Sequence, residues 1–101
     1  MKLRHVEEGK VLTFFLDGEL NSLNAEEVEK KIDEAIEEAS PDAIVLDFEG
    51  LTYISSAGLR IIARLKQRYP DTSIRNVSES VYQVLEMVSF HKMLKIEKAA
   101  D

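Results

Sequence analysis

The chain contains no cysteine. Disulfides, thiolate catalysis and cysteine-ligated zinc are thereby excluded, and the absence fits a reducing compartment. Histidine is nearly as scarce: His5 and His91 are the only two, far apart and without ligand-like spacing, so neither a metal nor a cofactor site is read from the chain. No run of proline, glycine or serine marks a linker, and no internal repeat or low-complexity tract is present. No apolar run approaches the roughly 20 residues needed to span a bilayer. Met1-Lys2-Leu3-Arg4-His5 is followed almost at once by acidic residues, so the apolar core of a signal peptide is missing. The expectation is a soluble cytoplasmic protein with no membrane partner. Positive charge is in deficit as well, with 13 Lys and Arg against 19 Asp and Glu for a net charge of −6. Phosphate-backbone binding needs clustered positive charge, which speaks against a nucleic-acid partner.

What is present suits one compact domain over residues 1–101: a hydrophobic content of 45% is enough for a single core. Lys2 to Val6 reads as an edge strand and Glu8-Gly9 as a turn. Val11 to Leu16, rich in β-branched and aromatic residues, reads as a second strand paired with it in a hairpin and closed by Asp17-Gly18. A polar connection, Glu19 to Leu23, follows. Asn24-Ala25-Glu26-Glu27 has the form of a capping box. The helix after it places Val28, Ile32, Ala35, Ile36 and Ala39 at spacings of three and four, on an otherwise acidic surface, and Ser40-Pro41-Asp42 ends it. Ala43-Ile44-Val45-Leu46 reads as a strand buried on both faces, running to Phe48.

A loop then leads to a second helix with apolar residues at 59, 62, 63, 65 and 69. Arg60, Arg64 and Arg68 lie one turn apart on another side, read as a solvated face pairing with the acidic helix or as a docking surface. Tyr69-Pro70-Asp71 stops this helix. Ser73 to Val77 is a short strand. Ser78 or Ser80 caps a third helix, with Val81, Val84, Leu85 and Val88 on one face. Phe90 and Met93 are expected to be buried, and Leu94 to Glu97 alternates as a last strand. The fold class is therefore α/β, in the order β-β-α-β-α-β-α-β, with a mixed, mainly parallel sheet, an N-terminal hairpin and helices packed on it.

The loop before the second helix is where such folds place ligands and partners. Ser55 and Ser56 stand at the helix start, and a serine there commonly only satisfies free N–H groups. That role accounts for one serine and leaves Gly58 without a reason, since glycine in a first helical turn costs up to about 1 kcal/mol relative to alanine. A bare backbone permits close approach by another chain, a phosphate or a neighbouring strand. A hydroxyl at a helix N-terminus is also well placed to carry a phosphate. No catalytic residue is assigned. A nucleophile elbow requires glycine two residues before and two after the serine, and position 54 is isoleucine. The glycine-lysine signature of a phosphate-binding loop is absent too. Asp47, ending a strand, is assigned the structural task of holding the serine turn through hydrogen bonds to loop backbone. Leu20 and Leu23 are either partner contacts or core, and Tyr53 is available to a partner.

Leu46-Asp47-Phe48 followed by Leu51-Thr52-Tyr53-Ile54-Ser55-Ser56-Ala57-Gly58-Leu59 resembles the signature of STAS domains, in particular the stand-alone bacterial anti-sigma factor antagonists. The resemblance extends over nearly the whole chain, through the strand ending in Asp-Gly ahead of a leucine-containing loop (the span Leu16 to Leu23) and through Asn76-Val77-Ser78 before a helix leading to Val88-Ser89-Phe90. It implies a protein-binding module rather than an enzyme. Its partners would be an anti-sigma factor with serine kinase activity, which lets go when the serine two before the motif glycine is phosphorylated, and a PP2C-type phosphatase that resets it. Counting back from Gly58, that serine is Ser56. Many members carry aspartate immediately before it; this chain has Ser55, which becomes a second-choice acceptor. The partner surface implied comprises Leu20, Asn21, Ser22, Leu23, Tyr53, Ile54, Ser55, Ser56, Ala57, Gly58 and Arg60. Two other readings stay open: a non-switching STAS scaffold or accessory subunit of a signalling or lipid-transport complex, and a small-molecule-binding domain using the same loop.

Overall fold

The structure is a computed structural model that describes residues 1–100. Its elements are β1 (Lys2–Glu8), β2 (Val11–Leu20), α1 (Ala25–Ala39), β3 (Ala43–Asp47), β4 (Leu51–Ile54), α2 (Ser56–Arg68), β5 (Thr72–Val77), α3 (Glu79–Met87), a 3-10 turn at Phe90–Lys92, and β6 (Ile96–Lys98). The six strands form one sheet in the order β1-β2-β3-β5-β6, with β4 pairing β2 off that path. Only β1 and β2 are antiparallel; the remaining pairs are parallel, as the helical crossovers require. No helix among the described residues is long and apolar enough to cross a membrane.

Period-two alternation decides the core. Leu12 pairs with Ile44, and Phe14 with Leu46, which pairs in turn with Ile74. All of these are buried, together with Val28, Ile32 and Ile36 of α1 and Ile61, Ile62 and Leu65 of α2. The alternate residues Val11, Thr13, Phe15, Ala43 and Val45 remain exposed or half-buried, so the other face of β1, β2 and β3 is open. Strand β3 is thus buried on one face, where its apolar run predicts two.

The largest departure from the sequence reading lies in β2 and β4. Asp17-Gly18 does not close the hairpin strand. Gly18 takes φ +113°, a value that suits glycine, and the register shifts there as in a bulge, letting β2 continue to Leu20. β3 stops at Asp47, the chain steps through Phe48 to Gly50, and β4 resumes along the prolonged end of β2, with Leu20 opposite Ile54. Residues 51–54, read as loop, are therefore strand.

Smaller corrections have local causes. The α2 face includes Ile61, which the apolar count leaves out. Met93 and Val88 are exposed, at 50% and 42%, because the 3-10 turn swings only Phe90 inward. Ser78, not Ser80, caps α3, accepting from the Val81 N–H at 3.3 Å. Ser40 ends α1 in the left-handed region, φ 48°, its N–H bonded to Ile36. A non-glycine residue there is strained. Ser40→Gly is expected to raise stability by about 0.5–1 kcal/mol, relief of strain outweighing the added freedom of the unfolded chain; an unchanged or lower urea midpoint counts against the strain.

Candidate functional site

Leu20 and Ile54 are register partners at the end of the sheet, so the β2–α1 loop and the serine loop leave it side by side. Both residues are buried, at 1% and 5%, and the Ser55 N–H bonds to the Leu20 carbonyl at 2.9 Å. Gly58 sits over them: a Cβ there would lie 2.7 Å from Cγ1 of Ile54 and 2.9 Å from Cγ and Cδ2 of Leu20. The open choice about Gly58 is thereby decided. Its bare backbone serves the approach of neighbouring strands, and it is itself buried.

With α2 pressed down at Gly58, the serines divide their work. Ser55 is the N-cap, with extended backbone, its Oγ accepting from the Gly58 N–H at 3.3 Å and its carbonyl from the Leu59 N–H at 2.9 Å. Ser56 is the first helical residue and is exposed. No acidic residue stands in the first turn of α2. Arg60, one turn on, is exposed and forms no ion pair among the described residues. Arg64 and Arg68 are engaged with α1. Arg64 grips Glu29 in two bonds of 2.7 and 2.6 Å, and Arg68 reaches Asp33 at 3.3 Å. Hydrogen bonding from Arg64 holds the Glu29 carboxyl below the usual carboxylate range. The pairing reading of that face holds for these two arginines and leaves Arg60 over.

The adjoining loop is rigid for a reason the capping-box pattern does not convey. Asn24 makes no side-chain cap to α1. Its Oδ1 accepts from the Asn21 N–H at 3.0 Å and its Nδ2 donates to the Glu19 carbonyl at 2.8 Å. Asn21 reciprocates, its Oδ1 accepting from the N–H groups of Leu23 and Asn24 at 2.9 and 3.1 Å. Short polar side chains that bond nearby backbone this way compete with capping. The lock presents Leu23 at 94% exposure, beside exposed Ser22, and Tyr53 on the neighbouring strand is 50% exposed. Of the surface named from the sequence, then, Ser22, Leu23, Tyr53, Ser56 and Arg60 face outward. Asn21, Ser55 and Ala57 are half-buried. Leu20, Ile54 and Gly58 lie underneath as support and cannot touch a partner in this conformation.

Asp47 makes the expected bond to loop backbone, but not at the serine turn. It is 3% exposed and accepts from the Glu49 N–H at 3.0 Å, Nε of Arg75 at 2.8 Å and Nδ2 of Asn76 at 2.9 Å. Burial pushes its carboxyl up, but these donors outweigh burial and hold it below the ordinary carboxylate range. It fastens the step into β4 and the end of β5, and makes no bond to the serine turn. Arg75 and Asn76 carry no sequence signal for this task, although Asn76 at φ 58° occupies a conformation asparagine tolerates. Among the described residues, no group of three or more His, Asp or Glu side chains could hold a metal.

A family model described as "STAS domain" matches residues 2–101. The anti-sigma F factor antagonist of Paenibacillus polymyxa is 29% identical over 90 residues, which is 85% of this chain and 77% of that protein. Among solved structures, an anti-sigma factor antagonist from Mycobacterium paratuberculosis superposes with a TM-score of 0.85 at 17% identity, over 95% of this chain and 84% of that one. The Bacillus cell fate determinant SpoIIAA in its phosphorylated form superposes with a TM-score of 0.71 at 19% identity, over 94% and 90%. At such identities the structural matches speak to the fold alone.

Proposed function

The chain belongs to the STAS domain family, and from that premise we propose that it is an anti-sigma factor antagonist whose binding is switched by phosphate on Ser56. The observation that carries the reading is the division between the two serines: one hydroxyl is committed to capping α2, while the next is exposed at the helix's first residue. The relative named as an anti-sigma F factor antagonist supports the class. The chain acts as substrate rather than enzyme. Ser56 Oγ takes the γ-phosphoryl group of ATP held by an anti-sigma factor with serine kinase activity; the hydroxyl proton passes to a base on the kinase, and ADP leaves.

The physical effect of the phosphate follows from its surroundings. The added charge of about −1.5 to −2 sits at the positive end of α2, where first-turn N–H groups lack intrahelical partners and no carboxylate competes. Arg60, at i+4 from Ser56, is the cation in reach. Leu23 and Tyr53 are exposed on the segments that flank the paired Leu20 and Ile54, and an apolar partner surface covering both those segments and Ser56 would have to desolvate the phosphate. Unphosphorylated, the module binds the anti-sigma factor and frees the sigma factor; phosphorylated, it lets go until a PP2C-type phosphatase removes the group.

The test is labelling with the cognate kinase and radioactive ATP. Wild type and Ser55→Ala are expected to take label and Ser56→Ala none. Label lost in Ser55→Ala and kept in Ser56→Ala would move the acceptor to Ser55. No label in any form, with the complex intact, would favour a non-switching scaffold, a reading that draws on Ser55 replacing the family's aspartate. Denaturation of the same variants checks the division of labour. Ser55→Ala should lose about 1 kcal/mol as a missing N-cap, and Ser56→Ala should stay within about 0.5 kcal/mol of wild type.

A further inference from the structure

β1 borders the sheet. Among the described residues it pairs with β2 on one side only, and of its seven residues Leu3 alone is even half-buried. A strand of this length with a free edge presents unpaired N–H and C=O groups, a template for another strand. Charge commonly guards such edges, and β1 is charged, but its signs are segregated: Lys2 and Arg4 occupy one half, Glu7 and Glu8 the other. Charges of one sign would repel any copy. This arrangement opposes a parallel copy and favours an antiparallel one.

We propose that β1 is the contact between two copies of this chain, paired antiparallel about a two-fold axis at Val6 so that the two sheets become one. In that register Arg4 stands opposite Glu8 of the other copy, His5 opposite its Glu7, and Val6 opposite Val6, the Arg4–Glu8 ion pair occurring twice by symmetry. The pleat agrees. Arg4, Val6 and Glu8 pair with Phe15, Thr13 and Val11 of β2, residues of the open face, whereas His5 and Glu7 pair with the buried Phe14 and Leu12. Cross-strand partners therefore keep to one side of the joined sheet, and the exposed Val6 gains an apolar neighbour. On the helix side, the surface around His5 and Glu7 is bordered by Ala35, Glu38 and Ala39 of α1, with Lys31 and Glu34 on its flank toward Leu3. The seam is independent of the Ser56 site: β1 lines one side of β2, and β4, which leads to the serines, lines the other.

Sedimentation equilibrium over about 0.01 to 1 mM protein tests the proposal, a range that reads dissociation constants up to millimolar. Wild type should dimerise. Arg4→Glu and Glu8→Arg, each placing like charges opposite one another twice, should each weaken the dimer by about tenfold or more. The double variant Arg4→Glu/Glu8→Arg restores opposite signs and should recover most of the affinity. Arg4 also stacks over the Phe15 ring at 3.9 Å; since the double variant lacks that stack too, recovery isolates the pairing. A wild type that stays monomeric throughout, a dimer indifferent to both single changes, or a double variant as weak as the singles overturns the proposal.

Discussion

Gly58→Ala is expected to destabilise the protein by about 1–3 kcal/mol, the range of overpacked cores, although alanine in place of glycine ordinarily favours a helix by about 1 kcal/mol. The inversion follows from what lies beneath. The new Cβ would come within 2.7 Å of Ile54 Cγ1 and 2.9 Å of Leu20 Cγ. Neither atom is the free end of a flexible side chain, and both residues are buried between strands that pair with each other. Relief requires lifting the first turn of α2 off the sheet, which also strains the Ser55 cap and moves Ser56. Guanidinium denaturation measures the effect, and a variant as stable as wild type would falsify the close-packing account of Gly58. If the serine loop is the kinase's target, labelling of this variant should fall as well, because the acceptor's position depends on that contact.

Asp47→Ala should be comparably severe, about 2–4 kcal/mol, since one buried carboxylate satisfies three donors from two segments. The loss is held to that range because Arg75 is 43% exposed and can find water. The pH dependence has a definite sign. The folded-state pKa lies below the ordinary carboxylate value of about 3.9. The stabilisation is therefore complete above the unfolded pKa and is lost as pH falls through the lower folded one. Asp47→Asn, which cannot ionise, should differ most from wild type near neutrality, and the gap should close in acid. Urea unfolding of both proteins between pH 7 and pH 2 follows it; a gap that is constant or widens with acid would show that the carboxylate's charge is not what the donors hold.

These two residues illustrate how much was legible beforehand. Gly58 is conspicuous in sequence as a helix-breaking residue in a first turn, and Asp47 as an acid ending an apolar strand. The spacing of Val28, Ile32 and Ile36, the alternation of Leu12, Phe14 and Leu16, and the serines before an amphipathic run are local patterns; the strands read at 43–48 and 73–77 stand within one residue of those bounds, and the last strand, read at 94–97, stands at Ile96–Lys98. The errors arose where a local signal had two meanings. Asp17-Gly18 reads as a turn, but the same glycine accommodates a bulge that keeps the strand running. Asn24 followed by Glu27 reads as a capping box, but Asn21 three residues earlier captures the side chain first.

The fold class and the presence of two serines at a helix start were readable from local pattern, because each depends on residues within a few positions of one another. Tertiary structure alone decided which neighbour Gly58 serves, that Arg64 and Arg68 are engaged by Glu29 and Asp33 while Arg60 is left over, and that Leu23 faces water while Leu20 does not. Such outcomes depend on distant segments meeting at atomic distance, Arg64 with Glu29 and Arg68 with Asp33 across 35 residues. The register that brings them together is a property of the assembled sheet, which no local spacing contains.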